Sequence, residues 1–488
     1  MRSETLNLGT RTLNEINPGI WRLEPIGKMR VGVNIVASKE LILQIKDDKS
    51  LDQAANVATL PGVLDPVLTM PDIHQGYGFP IGGVAAFHEK TGVVSPGGVG
   101  YDINCGVRIL KTNLNYRRLD QEKLTKALVG ELFEVVPCGV GSRRKDLTLT
   151  QDQLDSLLAE GAQWAIKQGF GDHSDLEFIE DRGCLHFADP NQVSPRAKER
   201  GQNQLGTLGS GNHFLEVQCV DTIFDKEKAK IFGLEPEQVL IMVHTGSRGL
   251  GYQVCSEFIE VGLNTAAKYG IELVDRELAA LPLQSIDGKN YLGAMAAAAN
   301  FAFNNRQIIS FWVQQVLKKS FPEIKIDILY DICHNIAKWE EFHFPGARNS
   351  QKVCIHRKGA TRAYPPGHPS IPKKYQATGQ PVIVPGDMGR FSYILAGNPR
   401  SMELSLGSAC HGAGRELSRA QAKKRAKGRS IIRELEDRGI FLKASGRDTV
   451  VEEMPEAYKD INRVVEAIQH ADIASFVARL RPLGVIKG

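Results

Sequence analysis

The sequence predicts an α+β protein, one large intertwined domain over residues 1–488 with mixed buried strands and surrounding helices. Three observations carry that reading. Short apolar runs bounded by glycine-rich turns recur, as in Phe79-Pro-Ile-Gly-Gly-Val-Ala-Ala-Phe87 and Gly106-Val-Arg-Ile-Leu110, and read as buried strands. Longer segments between them open with helix-capping residues. No internal repeat, low-complexity linker or composition break divides the chain.

Taken in order, residues 20–45 read as short strands and turns. Ser50-x-x-Gln53 has the form of a capping box, opening a helix that stops before Pro61. From 68 to 110, dense glycine and short apolar runs read as strands joined by tight loops. Helices are expected from Asp120 to Val135 and from a Thr150-x-x-Gln153 cap to near Gln168. Ser194-Pro195 starts another, with proline at its first position. Residues 239–244 read as a strand, followed by the turn Gly246-Ser-Arg-Gly-Leu-Gly251 and a helix to about Tyr269. The longest helix is expected over 288–320, and 324–330 and 382–384 read as further buried strands. A strongly basic helix is expected after His411.

Composition excludes several classes. A chain that is 42% hydrophobic and 24% charged is that of a soluble globular protein. Residues 1–18 hold no apolar signal segment, and the most apolar window, 291–303, is too short to span a bilayer, so no membrane association is expected. Eight cysteines without a C-x-x-C pair suggest reduced thiols in a cytoplasmic protein. A net charge of +4 identifies no partner. Its local distribution says more.

The stretch Ser405-Leu-Gly-Ser-Ala-Cys-His-Gly-Ala-Gly-Arg415 surrounds His411 with small residues that let a large ligand approach the backbone. A neutral imidazole beside bound phosphates is a candidate nucleophile toward phosphorus. Asp102 and Cys105 follow a glycine loop, His213 begins a strand, and His244 and His334 end two others. Carboxylate, thiol and three imidazoles at element ends are the ligand types of a divalent metal site, although no local metal motif joins them. A single one of these side chains is more often a cap or a core residue. His244-Thr-Gly-Ser-Arg-Gly-Leu-Gly251 is a strand–turn–helix unit carrying Arg248, suited to phosphate but lacking the ending of a Walker A loop. On the helix after His411, Arg415, Arg419, Lys423 and Lys427 recur at i, i+4 steps and predict a polyanion track, with Arg357, Lys358 and Arg362 extending it.

Five stretches together resemble the RtcB family of GTP-dependent RNA-splicing ligases. They are Met70-Pro-Asp-Ile-His-Gln-Gly-Tyr-Gly78, Asp102-Ile-Asn-Cys-Gly-Val-Arg108, Gly209-Ser-Gly-Asn-His-Phe-Leu-Glu216, His244-Thr-Gly-Ser-Arg-Gly249 and Cys410-His-Gly-Ala-Gly-Arg415. The resemblance runs from Met70 to Gly488 and implies joining of an RNA 3′-phosphate or 2′,3′-cyclic phosphate to a 5′-hydroxyl, in tRNA splicing or RNA repair. His411 would attack GTP and carry GMP, with Asp72 near the reacting ends. Asp102, Cys105, His213, His244 and His334 would bind two Mn²⁺, the Cys105 thiolate shared between them. Guanylate contacts would come from Asn212, His213, Phe214, Leu215 and Glu216, from His334 and Asn335, and from Pro385, Gly386, Asp387, Met388 and Ser392. His411, Gly412, Ala413, Gly414 and Lys487 complete that set, with Tyr458 beside the base. The resemblance implies a small hydroxyl residue in some relatives where this chain has Asp387. The implied partners are RNA with such ends, tRNA halves foremost, and an archease-type activator. The residues themselves also fit a metal-dependent phosphoesterase that cleaves cyclic phosphates without a nucleotidyl intermediate, and the donor set alone suits Zn²⁺ equally. The basic helix alone would suffice for a non-catalytic RNA-binding protein.

Overall fold

A computed structural model describes residues 4–118, 121–144, 146–344 and 349–488. Helices and strands are mixed along the chain, as an α+β fold requires, and two large sheets organise it. The first runs Thr5–Leu8, Arg11–Asn17, Ile20–Leu23, Val33–Val36, Val67–His74, Ile81–His88, Gln351–Lys358, Asn335–Phe342. Val33–Val36 pairs with Val67–His74 in parallel and its other pairs are antiparallel. The second runs Ile326–Cys333, Gly106–Asn115, Gln238–Thr245, Phe214–Ile223, Ala474–Lys487, Ser392–Gly397, Pro381–Val384, with Phe441–Ala444 alongside Ala474–Lys487.

The central strands of the second sheet are buried on both faces, which explains their continuous apolar runs. In Gln238–Thr245, Val239, Ile241 and Val243 enter one apolar layer while Leu240 and Met242 enter another. The register places His244 opposite both Val107 and Phe214, Cys333 opposite Gly106, and Lys487 opposite Phe214. Because neighbouring strands run in opposite directions, two strand beginnings and three strand ends converge on one edge.

Beside this sheet runs the 35-residue helix Ile286–Ser320, its first turn capped by the Ser285 hydroxyl, which accepts from the Gly288 N–H at 3.0 Å. Its alanine-rich half packs into the core, and its middle carries buried Asn300, Asn304, Asn305, Arg306 and Gln307. These side chains stand in for the backbone partners that irregular loops lack. Asn305 Oδ1 accepts from the N–H groups of Gly206 and Thr207 at 2.8 and 3.1 Å. Its Nδ2 donates to the carbonyls of Thr207 and Gly246 at 3.0 and 3.2 Å. One side chain thereby splints two loops.

Local structure departs from the sequence expectation where side chains found partners elsewhere. Residues expected as strands and turns include the helix Lys39–Ile45, whose cap is Ser38 accepting from the Leu41 N–H. Ser50 is the first helical residue of Ser50–Val57, not its cap, and its buried hydroxyl has no partner. Gln53, expected to close that capping box, instead brackets Gly76, donating to its carbonyl at 2.7 Å and accepting from its N–H at 3.0 Å. The Thr150–Gln153 box does form, but its helix breaks at Gly161 into Gln151–Glu160 and Ala162–Lys167. Gly161 has φ +62° and a Cβ there would meet the Gly183 carbonyl oxygen at 2.1 Å, so the helix cannot pass through. The helix expected from Asp120 is Gln121–Val135; Asp120 itself lies outside the described residues. Pro195–Gly201 starts as expected, capped by Ser194. The helix after the Gly246 turn is Arg248–Thr265.

Asn305→Leu keeps the heavy-atom count and branching of the side chain but leaves two N–H groups and two carbonyls buried without partners. It should cost about 3–5 kcal/mol of stability, read by urea unfolding, without changing the far-ultraviolet spectrum of the folded protein.

Candidate metal centre and adjoining cleft

At the shared edge of the second sheet, Cys105 Sγ lies 3.5 Å from His213 Nε2 and 3.2 Å from His244 Nε2. Asp102 Oδ2 is 2.7 Å from His213 Nε2, and His244 Nε2 is 3.2 Å from His334 Nε2. The donors fall into two groups that share the thiol: Asp102, Cys105 and His213, and Cys105, His244 and His334. All five residues expected from the sequence as metal ligands are thus brought together.

The electrostatics of this cluster are those of a cation site. Burial and neighbouring imidazoles hold His244 and His334 far below the usual histidine range, so both rings are neutral. Two Nε2 atoms that face each other cannot both donate, and the Nδ1 atoms of both rings are buried without a partner. Burial and Asp102 together push the Cys105 thiol up. A cation would replace these repulsions by coordination and take the thiol to thiolate. His213 is held for that role by its Nδ1, which donates to the Leu208 carbonyl at 2.9 Å and so directs Nε2 toward Asp102 and Cys105. The residues present fit two divalent ions sharing one sulfur.

Beside the centre opens a cleft lined by Asn212, Phe214, Glu216, residues 385–388 and 411–415, Tyr458 and Lys487, among others. His411 follows the short strand Ser408–Cys410, which pairs with Ala360–Arg362. Asp72, in the first sheet and wholly buried, accepts from the His411 backbone N–H at 3.1 Å and from Nδ1 at 2.6 Å. A carboxylate acceptor places the proton on Nδ1 and the lone pair on Nε2. Gly414 makes the close approach possible: φ is +72° and a Cβ would meet the Asp72 carbonyl oxygen at 2.2 Å. The His411 ring also rests on His334, centroid to centroid 4.8 Å.

Elsewhere in the cleft, burial pushes the Glu216 carboxyl up to about 8, and Gln218 Nε2 donates to it at 2.6 Å. Lys487 Nζ donates to the Gly211 carbonyl at 2.9 Å, and burial lowers its ammonium below the usual lysine range. The Tyr458 hydroxyl bonds Glu453, and the Arg415 guanidinium lies over its ring at 5.2 Å.

Several residues expected at the site serve it indirectly. Asp72 orients His411 and does not open onto the cleft. Leu215 points into an apolar layer. The Ser392 hydroxyl bonds Gln218 and the Gly386 N–H, and the Asn335 side chain bridges the Asp102 carbonyl and the Gly359 N–H. Asp387 lines the cleft but turns its carboxylate onto the Gly389 N–H and Arg390, whose Nη2 donates to the Tyr458 carbonyl at 2.9 Å. It braces the loop that holds Tyr458. Arg248 has a left-handed backbone, φ +55°, and its Nε donates to Thr207.

The basic track needs correction. The helix after His411 is only Arg419–Arg425, capped by Ser418. Arg415 precedes it, in an extended segment bridged to Tyr458, and Lys427 lies beyond its end. Arg419 and Lys423 pair with Glu452, Lys423 also with Asp448, and Arg415 with Glu453. Residues 357–362 do not extend the track. Arg357 pairs with Glu340 and Arg362 with Glu180 and Asp181, while buried Lys358 donates to the carbonyls of Tyr77 and Phe79 and is pushed down to about 8. Three cleft residues, His74, Ile81 and Glu453, escaped the sequence reading. His74 sits inside the Met70–Gly78 stretch, which could have marked it, whereas nothing local marks Glu453.

The chain resembles known proteins over nearly its whole length. Residues 53–488 match the family model described as RtcB, tRNA-splicing ligase RtcB. A tRNA-splicing ligase RtcB of Thermococcus kodakarensis is 50% identical over 481 residues, covering 98% of this chain and 99% of the relative. Relatives of the same name from Archaeoglobus fulgidus and Aeropyrum pernix are 49% and 51% identical, over 98% and 97% of this chain and 99% of each relative. With a buried donor set on one sheet edge, a carboxylate-oriented histidine beside it and half of all residues shared with these relatives, the chain belongs to the RtcB family.

Proposed function

We propose that the protein is an RNA ligase that joins an RNA 3′-phosphate or 2′,3′-cyclic phosphate to a 5′-hydroxyl, as in tRNA splicing or RNA repair, with GTP as co-substrate. The relatives carry the name tRNA-splicing ligase. The observation that carries the mechanism is the Asp72–His411 pair, which turns a free Nε2 lone pair toward the cleft beside the two-ion donor set.

In this reading His411 Nε2 attacks the α-phosphorus of GTP; the P–N bond forms as the bond to pyrophosphate breaks. Asp72 stabilises the positive charge that develops on the ring, the task a buried carboxylate performs for a catalytic imidazole. An oxygen of the RNA 3′-phosphate then displaces His411 and leaves a diphosphate between RNA and GMP. The 5′-hydroxyl attacks the RNA-side phosphorus and GMP departs. The Glu216 carboxyl, pushed up by burial to about 8, would give up its proton to accept from the N1–H and exocyclic amine of guanine, and Tyr458 offers its ring to the base. Asp102, Cys105, His213, His244 and His334 would hold two divalent ions, Mn²⁺ on the family resemblance, which supply charge neutralisation to the triphosphate and the departing pyrophosphate.

Incubation with GTP labelled at the α-phosphate tests the reading directly. The native protein should acquire acid-labile label, and a protein that cleaves cyclic phosphates without ever acquiring label is a phosphoesterase instead. His411→Ala should abolish labelling with the fold intact; persistent label would remove His411 as nucleophile.

Cys105→Ala should lower the affinity for both ions together, since one sulfur serves both groups, whereas Cys219→Ala, in an apolar layer, should leave metal uptake unchanged. Metal titration with unaltered stoichiometry in Cys105→Ala would exclude the shared thiolate. Replacing Lys423 and Lys427 together by alanine should leave GMP transfer to His411 intact and weaken RNA binding. Its salt dependence should become shallower by about 0.7–0.9 for each cation that touches a phosphate. An unchanged salt slope would make this stripe a solvated surface whose charge is spent on Glu452 and Asp448.

A further inference from the structure

One buried arginine has no part in the chemistry above. Arg306 lies in the middle of the Ile286–Ser320 helix with a side chain that is 0% exposed. Its Nε donates to both Asp331 oxygens, at 3.0 and 2.9 Å, and Nη2 reaches Asp331 Oδ1 at 2.8 Å. Nη1 donates to the carbonyls of Asn104 and Thr245 at 2.8 and 3.0 Å, and Nη2 to Asn104 Oδ1 at 3.1 Å.

Each acceptor belongs to a segment that carries donors of the metal centre. Asn104 stands between Asp102 and Cys105, Thr245 follows His244, and Asp331 lies in the strand that delivers His334. Asn104 has a left-handed backbone, φ +52°, a conformation that needs support even in asparagine. The next turn of chain passes against the guanidinium: a Cβ on Gly106 would meet Arg306 Cζ at 3.1 Å. Two backbone bonds close the same unit, from the Asn104 N–H to the Asn335 carbonyl at 2.7 Å and from the His334 N–H to the Cys105 carbonyl at 2.9 Å.

Stability alone does not account for this arrangement. Arg108 shares Asp331, at 2.7 Å, so two buried cations divide one buried anion, and desolvation takes back much of what their attraction supplies. Arg108, however, spends Nη1 on Gln307 and Ser310 of the long helix, and of the acceptors in donor-bearing segments it bonds Asp331 and neither Asn104 nor Thr245. The two arginines share a carboxylate and differ in what else they hold.

The geometry points to Arg306 as the positioning residue of the metal centre, a rigid guanidinium fork that spaces the Asp102–Cys105 turn, the His244 strand end and the His334 strand end. The inference rests on the reading of those residues as metal donors. A lysine ammonium, with its three donors on one atom, cannot span the same acceptors.

The test is titration of the full-length metal-free protein with Co²⁺ alone. Stoichiometry and thiolate-to-cobalt absorption report the site without any ligation assay, and near-ultraviolet circular dichroism and thermal melting report the fold. The native protein should bind two Co²⁺ with thiolate absorption. Arg306→Lys should bind about 10- to 100-fold more weakly with an altered visible spectrum, the usual loss when a partner that orients metal ligands is removed. Arg108→Lys should melt lower yet bind Co²⁺ as the native protein does. Native affinity in Arg306→Lys, or equal weakening in both variants, would overturn the assignment. If Arg306→Lys does not fold, Asn104→Gly takes its place: it removes one acceptor of the fork, and unchanged Co²⁺ affinity there overturns the assignment as well. A native protein that binds no Co²⁺ overturns the metal reading itself, an outcome visible before any variant is made.

Discussion

The register of the second sheet is the constraint on which the site depends. Side chains on a strand alternate between faces, so a slip of one residue in Gln238–Thr245 would exchange its two apolar layers and turn His244 away from Cys105. Ile241 and Val243 on one face and Leu240 and Met242 on the other make that slip costly. The position of an imidazole at the strand end is therefore set by hydrocarbon packing along the strand. Donors fixed in this way need little reorganisation when a cation arrives, which is the condition for a well-defined metal geometry.

The long helix solves a different problem. Loops that bring donors inward expose backbone groups to an interior without water, and each unpaired group is expensive. Asn300 pairs with the Leu185 N–H and the Leu158 carbonyl, Asn304 with the Ala165 N–H, and Asn305 with the turns at 206–207 and 246. A helix that is apolar at one end and amide-rich in its middle can thus serve as core and as a substitute strand edge.

What could be read from the sequence was what local chemistry decides. Apolar runs ending in glycine turns located the strands that carry His213, His244 and His334, and the Thr150 and Ser194 caps marked true helix starts. What could not be read were the partners. Asp72 and His411 meet across 339 positions of sequence, and no pattern near either announces the other. The stripe from Arg415 to Lys427 looked like uncompensated positive charge because Asp448 and Glu452 of the helix Arg447–Glu452, and Glu453 just after it, return to it from later in the chain. Lys358 carries a surface-type side chain yet lies buried on two carbonyls. Ser50 matched a capping pattern whose glutamine was already committed to Gly76.

The site is also spread along the chain in a definite order. Donors of the centre lie between Asp102 and His334, the oriented histidine comes later at 411, and the far walls of the cleft come from Tyr458 and Lys487. Synthesis on the ribosome delivers them in that sequence. The donor residues are all made before the strand Ala474–Lys487, which lies between Phe214–Ile223 and Ser392–Gly397 in the second sheet. A chain stopped short of that strand carries every donor of the centre yet lacks a wall of the cleft.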